Sequence, residues 1–167
     1  MRSTTLVSIP VGVVVERRRA KSVWTEFLWR PVSVLARKPS AEPWTVLEVQ
    51  AESVLFYAGG AVIELHRTES TYYRDNLASD TPRLWVILSP AGSDPPYELL
   101  AVTADPAEGE GFTDAGNNLV ETVPMPHDIL AIIDHFIATH HVERPFVKRR
   151  REPAKFSRQK DGQGNGT

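Results

Sequence analysis

The chain has 167 residues, an apolar fraction of 41% and a formal net charge of −2. That length suits one domain with an appendage, and the composition is apolar enough for a packed core. The absence of cysteine excludes disulfides, thiolate metal sites, iron–sulfur ligation and cysteine nucleophiles, and it fits a reducing compartment.

The N-terminal run is short and is broken by Pro10 and Gly12, with Glu16 and Arg17-Arg18-Arg19 following at once. A secretory signal needs a longer apolar core, and a bilayer span needs roughly 20 apolar residues in a row. No stretch here reaches that, so the expected location is the cytoplasm, with no membrane contact. The small net charge hides an asymmetry. Eight Lys/Arg against three acids leave Val142–Thr167 about +5, and the remainder of the chain about −7.

Valine-rich Ile9–Arg18 reads as the first strand, because branched side chains suit a pleated surface. Trp29–Leu35 follows as a second, with Pro31 near its start or on an edge. Pro39 to Pro43 is a loop, and Trp44–Gln50 a third strand. Ser53–Ala58 and Ala61–His66 flank Gly59-Gly60, the strongest hairpin signal in the chain, since glycine reaches the positive φ of primed turns. Thr68–Ser79 fits a short helix, with Tyr73, Asn76 and Leu77 on one face, or a short strand. Arg83–Ser89 is a buried strand through Trp85-Val86-Ile87-Leu88.

Tyr97–Thr103 and Leu119–Val123 are further strands, and Asp105–Asn118 between them is a structured loop or irregular helix. A clear helix spans about Pro126 to His140, opened by proline at its first position and by Asp128 in its first turn. Ile129, Ile133, Phe136 and Ile137 form its apolar face, with Leu130 and Ile132 at the flanks. Arg151–Thr167 is too polar to pack a core and is expected to be disordered.

The expected fold class is therefore α+β. It would be a curved, mainly antiparallel sheet or partial barrel of about six to eight strands, with one C-terminal helix packed on it. The domain would span residues 1–148, with a basic tail over 149–167.

No glycine-rich phosphate loop, HExxH or GxSxG is present. His135 and His140, five residues apart, diverge by about 140° on a helix, so no metal site is expected. His140 falls near the apolar face and reads as a packed or capping residue; His135 reads as solvated. The acids of Asp105–Asp114 miss the calcium-loop spacing. The runs Arg17-Arg18-Arg19 and Lys148-Arg149-Arg150-Arg151 can attract phosphates, but no aromatic platform accompanies them in sequence, so nucleic acid is the weakest reading.

The densest polar stretch lies between Ala61–Leu65 and Leu84–Leu88. If those runs are neighbouring strands, the residues between them crowd at one sheet edge. Arg67, Tyr73, Arg74 and Asn76 then become candidate binding residues, offering donors for a carboxylate or phosphate. The plainer alternative is a buried polar network that holds the packing together. Arg144, Lys148, Arg149 and Arg150 are the candidates in the basic arm.

Several segments resemble a known family. These are Ile9-Pro10-Val11-Gly12-Val13-Val14-Val15-Glu16-Arg17-Arg18, Trp24, Trp29-Arg30-Pro31-Val32, Tyr57-Ala58-Gly59 and Glu64-Leu65-His66-Arg67. They continue with Tyr73-Arg74-Asp75-Asn76-Leu77, Pro82 with Leu84-Trp85-Val86-Ile87-Leu88, and His140-His141-Val142-Glu143-Arg144-Pro145-Phe146. Together they are similar to the bacterial domain of unknown function family 3305, over roughly residues 8–152.

The resemblance implies no catalytic residue and no cofactor. Members are commonly encoded beside molybdenum-dependent formate dehydrogenase, which implies a role in maturing or assembling that enzyme. The resulting expectation is a non-catalytic accessory protein whose partner is a formate dehydrogenase subunit or maturation factor. A protein handling a small anion or the molybdenum cofactor is the alternative, and nucleic-acid binding through the basic tail is the third reading.

Overall fold

In the computed structural model, residues 5–140 apart from Ala115 are described. They form seven strands and three α-helices. The strands are β1 (Thr5–Arg19), β2 (Phe27–Leu35), β3 (Thr45–Val49), β4 (Ser53–His66), β5 (Arg83–Pro90), β6 (Tyr97–Thr103) and β7 (Leu119–Pro124). The helices are α1 (Ser70–Ala78), α2 (Pro106–Asp114) and α3 (His127–His140), and a 3-10 turn, Arg67–Glu69, leads into α1. The α+β class and the antiparallel pairing agree with the sequence. Two sheets stand where one was expected: a four-stranded sheet in the order β2-β1-β4-β3 and a three-stranded one in the order β6-β5-β7. Three helices stand where one was expected.

β1 is central in its sheet, paired with β4 along most of its length and with β2 from Gly12 to Arg19. Val11, Val13, Val14 and Val15 are accordingly buried. Ser53–His66 is a single strand rather than a hairpin. Gly59 and Gly60 lie inside it, opposite Val13 and Gly12, and the register slips at this point. The physical reason is space and curvature. A Cβ on Gly12 would stand 2.9 Å from both the Tyr57 ring and Pro39, and one on Gly60 would meet the Lys38 side chain at 2.6 Å. Gly59 has φ +138°, at the bulge that leaves Ala58 without an opposite residue. Glycine in a strand marks close approach and bending as readily as a turn.

The runs Ala61–Leu65 and Leu84–Leu88 belong to β4 and β5, which lie in different sheets. They are therefore not neighbouring strands, and the chain between them crosses from one sheet to the other through α1. The core between the layers holds Ile63, Leu65, Leu84, Val86 and Leu88 from these strands, with Ile129, Ile133 and Phe136 from α3. Each such burial stabilises the fold by roughly 1.5–3 kcal/mol. α3 meets α1 through an edge-on contact between the Phe136 and Tyr73 rings, 5.9 Å between centroids. His140 packs on Phe136, and His135 is exposed.

Candidate binding surface

The four central candidates divide by depth. Tyr73 and Asn76 are buried on the inner face of α1, whereas Arg67 and Arg74 are exposed. The Tyr73 hydroxyl accepts the His66 N–H at the end of β4, at 2.9 Å. Burial, reinforced by the nearby carboxylates of Asp105, Glu69 and Glu108, pushes its pKa up to about 12, and the His66 N–H opposes this. It is a neutral phenol that holds a strand end.

The Asn76 amide joins the start of β5 to the end of β6. Its Oδ1 accepts the Arg83 N–H at 3.0 Å, and its Nδ2 donates to the carbonyls of Arg83 and Ala104 at 2.7 and 3.0 Å. These two residues form the buried polar network that the sequence left as the plainer alternative. The groove beside them, about 500 Å³, is lined by Glu69, Asp105 and Glu108 together with His66, Tyr72 and Tyr73. Three carboxylates there disfavour a phosphate or carboxylate ligand.

Asp105 starts α2. Its Oδ1 accepts the N–H groups of Ala107 and Glu108 at 2.9 and 3.4 Å, as an N-cap does. Burial raises its pKa, and those two hydrogen bonds act in the opposite direction. Among the described residues, no group of three or more His, Asp or Glu side chains is placed to hold a metal ion. No helix among them is long and apolar enough to cross a membrane. Arg144, Lys148, Arg149 and Arg150 lie outside the described residues.

The far end of the four-stranded sheet is chemically different. β3 is an edge strand whose five residues are all exposed. Val46 and Leu47 are each 51% exposed and Val49 71%. The Arg19 N–H donates to Glu52 O and so ties the end of β1 to the β3–β4 turn, and the β1–β2 connection is closed by Ala20 N–H to Glu26 O, both 2.9 Å. Val23 and Trp24 in that connection are 91% and 92% exposed, and Leu28 on β2 is 56% exposed. Leu28 pairs with Arg18, and Val49 pairs with Val54 opposite Arg17, so Leu28 and Val49 stand on opposite faces of the sheet, at its two edges.

Trp29 packs against Phe56 and Tyr97, and Phe56 against Trp44, with ring centroids about 6 Å apart. Trp29 and Trp44 are thus partly buried against the core, as their apolar surface favours. Trp44 has φ +68°, a left-handed conformation held by its N–H, which donates to the Tyr57 carbonyl. A tryptophan there is strained by roughly 1–2 kcal/mol. A cleft of about 390 Å³ opens beside it, lined by Trp44, Gly59, Gly60, Pro95, Tyr97 and Leu99 among others. No sequence pattern nominated this end. Its residues come from β1, β2, β3 and β6 and meet only in the fold.

Two antiparallel sheets joined through helix side chains define an α+β protein. The family model described as protein of unknown function (DUF3305) matches residues 10–150, and the chain belongs to that family. Comparison with curated proteins and with solved structures gives no match.

Proposed function

We propose that this protein works by binding rather than catalysis, as an accessory protein that docks on a protein partner through the β3 end of its four-stranded sheet. The observation that carries the reading is the edge strand β3, on which Val46, Leu47 and Val49 are each about half exposed or more. Large apolar side chains gathered at one surface mark interaction sites. An unpaired strand edge beside them offers backbone hydrogen bonds to a partner strand. β3 is short, carries a bulge at Leu47 and includes Glu48, features that restrain indiscriminate edge pairing.

The partner in this proposal is a subunit or maturation factor of molybdenum-dependent formate dehydrogenase. That part rests on the family resemblance. Arg144, Lys148, Arg149 and Arg150 would supply positive charge toward an acidic partner surface, whereas Arg67 stands at the opposite end of β4 from β3. Capture of the tagged chain from its native host is expected to recover formate dehydrogenase subunits or their chaperones. Recovery of neither, from cells actively making the enzyme, would overturn the assignment.

The second reading, a protein that handles a small ligand or cofactor, draws on the cleft between Trp44 and Tyr97. Its volume falls within the ordinary range of about 300–1,000 Å³ for ligand sites. Thermal-shift screening with nucleotides and molybdopterin precursors tests it, since a ligand of the folded state must raise apparent stability.

A further inference from the structure

The run Arg17-Arg18-Arg19 is divided by the alternation of β1. Glu16 and Arg18 point to one face, where Glu16 is buried and paired with both Arg18 Nη2 at 3.0 Å and Arg30 Nε at 3.3 Å. Arg17 and Arg19 point to the other face and, among the described residues, form no salt bridge. The Arg17 guanidinium lies 4.3 Å from the centre of the Phe27 ring, 5.5 Å from that of Phe56 and 5.9 Å from that of Trp29. Its Nε is buried without a hydrogen-bond partner. Arg19 stands 5.8 Å from the same Phe27 ring.

A guanidinium held by aromatic faces keeps its full charge and loses side-chain freedom before any ligand arrives. A buried N–H left unsatisfied is costly, and the fold accepts that cost here. Both arginines line a small pocket of about 180 Å³, closed on the far side by the Gln50–Ser53 turn. The backbone bonds from Arg19 to Glu52 and from Gln50 to Ser53, 2.9 and 2.8 Å, hold that turn in place. The pocket is too small for a drug-sized molecule, and its size fits one ionic group. Glu52, on the rim, is the single carboxylate among its lining residues.

We propose that Arg17 and Arg19 form an anion site that takes one oxyanion group, with Phe27, Trp29 and Phe56 orienting Arg17. The site is separate from the acidic groove beside Tyr73, and the proposal does not depend on the accessory role. The oxyanion comes either from a free small molecule or from an acidic side chain of a bound polypeptide. Both present the same oxygens to the two guanidinium groups.

The test is thermal shift and tryptophan fluorescence of the full chain, titrated at constant ionic strength set with sodium chloride. One arm uses inorganic phosphate. The other uses a short peptide with one glutamate between apolar residues, alongside its glutamine counterpart. A saturable response is expected in at least one arm. A phosphate response identifies a small-molecule source, and a response to the glutamate peptide alone identifies a polypeptide source.

Arg19→Ala, an exposed change that should leave the fold intact, is expected to weaken the response about tenfold, the loss of one charge-assisted contact. Arg17→Met is expected to abolish it, and Glu52→Gln to strengthen it severalfold by removing a like charge. No saturable response in either arm overturns the proposal. So does a response unchanged in Arg19→Ala, which keeps the test decisive even if Arg17→Met does not fold.

Discussion

Asn76 and Arg83 are joined as two strands would be: the side-chain amide of one accepts the N–H and donates to the C=O of the other, at 3.0 and 2.7 Å. With the third bond, to the Ala104 carbonyl, one helix residue registers the entry of β5 against the exit of β6. α1 carries the chain from the four-stranded sheet to the three-stranded one, and Asn76 fixes it against β5 and β6 on the way. Asn76→Ala would leave three backbone groups without partners, and a loss of about 2–4 kcal/mol is expected. Urea unfolding measures it, and a loss under about 1 kcal/mol would mean that water or a neighbour replaces the amide.

This residue also shows how far the sequence could be read. Tyr73, Asn76 and Leu77 share one helical face by spacing alone, so their burial was legible. Their partners were not, since Arg83 and Ala104 become neighbours of Asn76 only after the chain has crossed between sheets. The α3 face, Ile129, Ile133 and Phe136, was plain from periodicity because one docking partner covers it. Gly59-Gly60 misled for the opposite reason: the same dipeptide serves a turn or a crowded strand bend, and only the Lys38 side chain against Gly60 and the bulge beside Gly59 decide between them. The basic run at Arg17–Arg19 was visible in sequence, yet its aromatic neighbours Phe27, Trp29 and Phe56 lie on β2 and β4.

Tyr73 links stability to alkaline pH. Its folded pKa is raised from 10.0 to about 12, so the folded state holds this proton more tightly than the unfolded chain. The resulting stability is fully present below pH 10 and is lost as pH rises through about 12. Tyr73→Phe should therefore unfold with a shallower pH dependence between those limits. It should also lose about 1 kcal/mol at neutral pH, because the His66 N–H no longer has its acceptor. Melting curves from pH 8 upward check both, and identical alkaline slopes would contradict the linkage.

The two glycines inside α2 should respond oppositely to the same substitution. A Cβ on Gly109 would lie 2.3 Å from Trp85 Cγ, so Gly109→Ala must push α2 off β5. Gly111 has open space around its added carbon. Gly111→Ala should stabilise by about 0.5–1 kcal/mol through helix propensity, and Gly109→Ala should destabilise by about 1–3 kcal/mol through overpacking. Thermal melts of the pair decide it, and a stabilised Gly109→Ala would show that Trp85 has room to move.

We propose that the exposed apolar edge strand β3 is what formate dehydrogenase maturation requires. The direct measurement is formate dehydrogenase activity in a clean deletion strain, complemented with either the native chain or a Val46→Lys/Val49→Lys variant at equal abundance. Both positions are exposed, so the variant should melt with the native chain to within about 0.5 kcal/mol. The account predicts that deletion lowers the activity, that the native chain restores it, and that the variant does not. Unchanged activity on deletion, or full restoration by the variant, would contradict it.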